Sequence, residues 1–156
     1  YVAGVVKTYR EAVDSLGNWE YAVNPRWLKE LSMFSSRGYT TGMFFGKQPD
    51  TDYNFDGESY RMSHEFVGII LEIKDGIAKV ELRNRLDMGD AVEYLSQGLE
   101  EKLFALESMK DIDGMDITTA RNENIVFMPV PKGVSPNDLI RREKNFRLKP
   151  DVKGIV

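Results

Sequence analysis

The chain has 156 residues, enough for one core-bearing domain with an appendage. Its 42% hydrophobic and 29% charged residues are ordinary for a globular protein, and no apolar run approaches the roughly 20 residues of a membrane span. The absence of cysteine excludes disulfides, thiolate nucleophiles and cysteine-held zinc or iron–sulfur sites from these residues, and fits a cytoplasmic origin. The net charge of −4 hides an asymmetry: residues 139–156 hold six basic side chains against two acids, a balance of +4, so the rest carries −8.

The opening YVAGVVKTYREAV has neither the basic lead nor the cleavage site of a signal peptide. It lacks an initiator Met and is expected to belong to a longer protein. Val2, Val5, Val6, Tyr9, Val13 and Leu16 recur at helical spacing with charged residues between them, which predicts a helix over 2–16 capped at Gly17 or Asn18. Asn24-Pro25 predicts a second helix start. Asn24 can cap, and Pro25 fits the first helical position, where no N–H is needed. Trp27, Leu28, Leu31 and Phe34 give that helix its expected apolar side, and it should end near 35–38.

RGYTTGMFFGKQ, residues 37–48, crowds three glycines around Tyr39, Met43, Phe44 and Phe45. It is expected to be a linker that packs its aromatics on a neighbouring core. Residues 49–62 are polar and read as a loop. Within it, Asp52, Asn54, Asp56 and Gly57 match the first half of a calcium loop, but the twelfth position, where a bidentate glutamate belongs, is Ser63. No metal site is therefore expected here.

Residues 65–95 carry the strongest local signal. Val67, Ile69, Leu71 and Ile73 alternate before Asp75-Gly76, and Ala78, Val80 and Leu82 alternate after it. Alternation around an Asp-Gly turn predicts a hairpin. Met88-Gly89-Asp90 then turns the chain into a third strand over 91–95. Strands over 102–109, 116–121 and 124–130 follow, with a turn at Asp113-Gly114. Pro129 and Pro131 mark an edge or exit, because proline donates nothing to a ladder. Ser135-Pro136-Asn137-Asp138 predicts a short helical turn. The expected fold is mainly β, a small antiparallel barrel preceded by two helices. The domain reading is a helical junction at 1–48, a loop at 49–62, the barrel at 63–149 and a tail at 150–156.

Few residues suggest chemistry. His64 is the single histidine, which disfavours a zinc site. There is no Gly-x-Ser-x-Gly elbow, glycine-rich dinucleotide loop or P-loop lysine. No catalytic residue is assigned. Candidate binding residues are Arg37 and Tyr39 in the glycine-rich segment, Arg83 and Arg85 beside the barrel, and Arg141 and Arg142 in the basic end, with Arg121, Lys144 and Arg147 as further cations. That basic end reads either as solvated surface or as an RNA contact.

Four segments taken together resemble the C-terminal region of the collagenase-like peptidases of family U32, a peptidase family of unassigned catalytic type. They are YVAGVVKTYREAVDSL, ELSMFSSRGYTTGMFFGK, EFVGIILEIKDGIAKVELRNRLDMGDAVEYL and SPNDLIRR, in that order. In the last, Ile140 interrupts the family's Pro-x-Asp-x-Leu-Arg pattern. The element 89–93 also resembles the second domain of translation elongation factors, a small β-barrel. The resemblance implies an upstream TIM-barrel-like catalytic domain as partner. It also implies that the present residues form a non-catalytic accessory barrel that positions substrate or docks on that domain. Some relatives are described as collagenases. Others are linked to hydroxylation of transfer or ribosomal RNA, or of quinone precursors, with a cysteine-held iron–sulfur cluster in the upstream domain. The alternative implied function is therefore an RNA-contacting module. No family catalytic residue maps onto this chain.

Overall fold

The computed structural model describes residues 1–17, 22–34, 39, 42–47, 62–96 and 103–144. The chain divides into two units, Tyr1–Ser63 and His64–Val156.

The first unit holds helices α1 (Val2–Asp14) and α2 (Pro25–Met33), with a single 3₁₀ turn at Ser15–Gly17 closing α1. Both expected helices are present, and α2 starts as its sequence dictates. The Asn24 side chain accepts a hydrogen bond from the Arg26 amide at 3.0 Å, and Pro25 takes the first helical position. The buried faces differ from expectation. In α1 the face turned to α2 is Gly4 and Thr8, whereas Val2, Val6, Tyr9, Val13 and Leu16 stay exposed. The reason is steric: a Cβ on Gly4 would sit 1.7 Å from Cζ of Phe34, so the missing side chain is what admits that ring. In α2 Glu30 is buried with Trp27, Leu31 and Phe34 half-buried beside it, and Leu28, about 100° away from Trp27, is exposed. Met43, Phe44 and Phe45, expected to pack on a core, are also exposed, and the two phenylalanine rings meet edge to face at 5.0 Å. No described helix is long and apolar enough to cross a membrane.

The second unit is a curled antiparallel half-barrel, so the chain is mainly β with two helices at its start. Its strands are β1 (His64–Lys74), β2 (Ile77–Leu82), β3 (Leu86–Asp87), β4 (Ala91–Leu95), β5 (Leu103–Ala105), β6 (Thr119–Ala120), β7 (Ile125–Pro129) and β8 (Leu139–Glu143). Six form one sheet in the order β5-β4-β8-β1-β2-β7, and β3 pairs with β6. The β1–β2 hairpin turns at Asp75 (φ 50°) and Gly76 (φ 78°). Positive φ at both central residues matches the right-handed twist of the flanking strands. Pro129 closes β7, a sheet edge, as expected.

One face assignment in β1 needs correction. Ile70, not Leu71, is buried, and Leu71 is exposed. The ladder to β2 runs Ile70↔Val80 and then Glu72↔Lys79, so Leu71 is an extra residue in a bulge, and the alternation changes phase there. Another difference is larger. Residues 139–143, read from sequence as the start of an exposed basic end, form β8, between β4 and β1 in the middle of the sheet. The helical turn expected at 135–138 is instead a tight turn into that strand. The Asp138 amide donates to the Ser135 carbonyl at 3.1 Å, and the Ser135 amide donates to Asp138 Oδ2 at 2.7 Å. The expected strands at 102–109 and 116–121 shorten to β5 and β6. Lys110 replaces the missing ladder by exchanging two 2.9 Å backbone hydrogen bonds with Phe127 of β7. Val67, Ile70, Val80, Leu82, Tyr94 and Ile140 centre the core, each at most 2% exposed.

Candidate functional site

Strand alternation distributes the ionisable residues of β1, β8 and β4 over two faces. Arg141 lies opposite Phe66 of β1 on one side and Glu93 of β4 on the other. His64, two residues before Phe66, shares that face. Arg142 lies opposite Glu65 and shares the other face with the core residue Ile140.

On the first face, Arg141 Nε donates to Glu93 Oε2 at 2.8 Å, and His64 Nε2 stands 3.5 Å from Glu93 Oε1. The side chains of Arg141 and His64 are only 6% and 9% exposed. Burial by itself would raise the Glu93 carboxyl. The hydrogen bond to His64 and the positive charge and hydrogen bond of Arg141 outweigh it and hold the carboxyl below its ordinary range. On the second face, Arg142 Nε donates to Glu65 Oε1 at 2.5 Å, and Nη1 donates to Asp90 Oδ2. Asp90 is buried, and its Oδ2 also accepts from the Asp87 amide at 2.9 Å. Burial would lower the Arg142 guanidinium, but Glu65 and Asp90 prevail and raise it. Burial also pushes the neighbouring Tyr94 phenol up.

This arrangement ties three strands together through charged hydrogen bonds. A carboxyl held low and a guanidinium held high both keep their charge around neutrality, so neither exchanges a proton there as a general acid or base would.

The other candidate residues lie apart from this lattice. Arg83 Nη2 pairs with Glu81 at 3.2 Å, and Arg85 Nε pairs with Asp87 at 3.0 Å, both on the surface. Because β3 pairs with β6, Arg85 and Arg121 flank the same short ladder, with Asp87 and Glu123 close by in sequence. Tyr39 is exposed, and its hydroxyl donates to the Leu31 carbonyl at 2.8 Å. Arg37, Arg147 and the half calcium loop Asp52, Asn54 and Asp56 lie outside the described residues. Around Gly114, Asp111 Oδ1 accepts from the amides of Asp113 at 3.0 Å and Met115 at 2.9 Å, which is turn chemistry. Sequence reasoning missed Glu65, Asp90 and Glu93. Their only signal was charge at regular strand spacing, which is also what an exposed strand face shows.

A family model described as Peptidase family U32 C-terminal domain matches residues 62–141, and one described as Peptidase family U32 matches residues 1–54. The chain is 28% identical over 149 residues to the tRNA hydroxylation protein P1 of Bacillus subtilis (strain 168), covering 92% of this chain and 35% of that protein. It is 29% identical over 161 residues to an uncharacterized protease of Methanocaldococcus jannaschii, covering 97% of this chain and 37% of that protein. It thus spans about a third of the length of the curated relatives it matches. Two crystal structures of the C-terminal domain of a candidate U32 peptidase from Geobacillus thermoleovorans are 32% and 33% identical to it. They cover 50% and 51% of this chain and 99% and 92% of their own, each with a TM-score of 0.47. Matched across both its units and over more than half its length by the C-terminal model alone, the chain belongs to peptidase family U32.

Proposed function

We propose that the β unit is a non-catalytic accessory domain of a cytoplasmic U32-family enzyme, a collagenase-like peptidase by its family, and that it holds substrate or docks on the catalytic domain. The observation that carries this reading is the charge lattice of Glu93, Arg141, Arg142, Glu65 and Asp90. Its charged hydrogen bonds join β1, β8 and β4 at the centre of the sheet and brace the strands, which suits a rigid platform. An iron–sulfur cluster does not fit these residues, because the chain has no cysteine to hold one. The test is incubation of the 156-residue chain with gelatin and casein. No cleavage is expected. Cleavage that disappears in His64→Ala would overturn the reading.

A second reading, an RNA-contacting module, is favoured by one observation: the similarity to the tRNA hydroxylation protein P1 over 92% of the chain. Arg83, Arg85, Arg121 and Lys144 are exposed candidate cations among the described residues, although Glu81 and Asp87 offset two of them. Filter binding of bulk transfer RNA against salt tests it. RNA contact predicts binding that falls steeply with salt and weakens in Arg83→Glu/Arg85→Glu. No binding, or binding indifferent to salt and to those substitutions, removes the reading.

A further inference from the structure

Helix α1 has three distinct faces. At about 100° per residue, Gly4, Thr8, Ala12 and Ser15 fall together on the side turned to α2. Lys7, Arg10, Glu11 and Asp14 form a polar side. Between them runs a third stripe of Val2, Val6, Tyr9, Val13 and Leu16, spaced 4-3-4-3 and exposed by between 54% and 71%. That spacing is the two-per-heptad seam by which one helix packs lengthwise on another. A helix that meets one neighbour needs a single apolar face. This one has a contact face of small residues and a separate apolar face that stays exposed among the described residues.

Two further observations bear on what covers it. The stripe lies wholly within the segment matched by the U32 family model, and the matched relatives are nearly three times as long as this chain. The same segment also leaves Met43, Phe44 and Phe45 about four-fifths exposed, more open apolar surface than a self-sufficient small unit leaves. The size of the seam separates the occupants. A helix of 13 residues is about 20 Å long and about 10 Å wide, so a lengthwise contact buries on the order of 400–600 Å² over both partners. Stable association of separate proteins needs roughly 1,200 Å² or more. A seam this small holds its partner when the two are parts of one polypeptide, because the tether supplies a high effective concentration.

We propose that the Val2–Val6–Tyr9–Val13–Leu16 stripe seats an apolar helix from the part of a U32-family polypeptide outside these 156 residues. The inference rests on the accessory-domain reading only in taking the chain as one part of a larger enzyme, and its test does not involve hydrolysis. Single cysteines are placed on the stripe (Val6→Cys, Val13→Cys) and on the polar side (Asp14→Cys). Maleimide labelling at each is followed by mass spectrometry, in the 156-residue chain and in the longest natural polypeptide that carries it. Stripe cysteines are expected to label freely in the 156-residue chain and about tenfold or more slowly in the longer one, with Asp14→Cys labelling alike in both. Equal labelling of the stripe in both overturns the proposal. So does protection already present in the 156-residue chain, whether a second copy, revealed by sedimentation, or the chain's own β unit provides it. Circular dichroism of each variant verifies that α1 is folded. If both stripe variants unfold, Tyr9→Cys and Leu16→Cys decide by the same comparison.

Discussion

Glu93 and Arg141, 48 residues apart in sequence, face each other across β4 and β8, with Arg141 Nε 2.8 Å from Glu93 Oε2. Arg141 is 5% exposed, so this pair has little water to fall back on. Removing one partner strands the other's charge. Arg141→Ala should cost about 2–4 kcal/mol of stability, and Arg141→Met combined with Glu93→Gln should recover a good part of it. Urea unfolding of the two variants beside the parent chain checks this. An additive double substitution would mean that the two side chains do not interact.

The same carboxyl sets a pH dependence. Glu93 is held below its ordinary value of 4.5, so folding favours its ionised form. Its contribution is fully present above about pH 4.5 and is lost as pH falls through the lower value it has in the folded chain. Thermal unfolding midpoints should therefore drop on acidification below about pH 4.5, and less steeply in Glu93→Gln. A Gln variant with the full acid slope would assign that slope to other carboxylates.

Gly68 tests the β1–β2 approach. A Cβ there would lie 2.6 Å from the carbonyl oxygen of Glu81, a backbone atom that cannot rotate away. Alanine is ordinarily no worse than glycine in a strand, yet Gly68→Ala should destabilise the β unit by about 1–3 kcal/mol. Urea titration read by tryptophan-independent far-UV circular dichroism measures it. A neutral result would show that the hairpin can spread at no cost.

Gly4 poses the same question in the helical unit, where two effects oppose each other. Glycine to alanine inside a helix normally gains about 1 kcal/mol. At Gly4 the new methyl would collide with the Phe34 ring, so Gly4→Ala should instead loosen α1 from α2. Gly4→Ala combined with Phe34→Ala should restore helix content relative to Gly4→Ala alone. Helical circular dichroism signal followed through a thermal ramp distinguishes the two signs.

Local chemistry made much of this protein legible in sequence. Asn24-Pro25 started a helix because a cap oxygen and a missing N–H suit the first turn wherever they occur. Asp75-Gly76 closed a hairpin because two residues with positive φ match strand twist without outside help. The order of four family-like segments sufficed for membership. What no local rule carries is the partner of each face. Leu71 looked buried by its period of two, but the partner of buried Val80 is Ile70, and Leu71 is the extra residue that the β2 ladder skips. The valines of α1 looked like its core side, and Phe34, inserted over Gly4, turned them outward. Arg141 and Arg142 looked like a solvated basic end because Lys144, Arg147, Lys149 and Lys153 follow them in sequence. Their carboxylates lie on β1, on β4 and just before β4, up to 77 residues away, and only the passage of β8 between β1 and β4 brings them within hydrogen-bonding distance. Sequence alone determined the start of α2 and the β1–β2 hairpin, because a cap and a tight turn are settled by near neighbours. The tertiary structure decided which charges are buried, because that depends on strand order across the sheet.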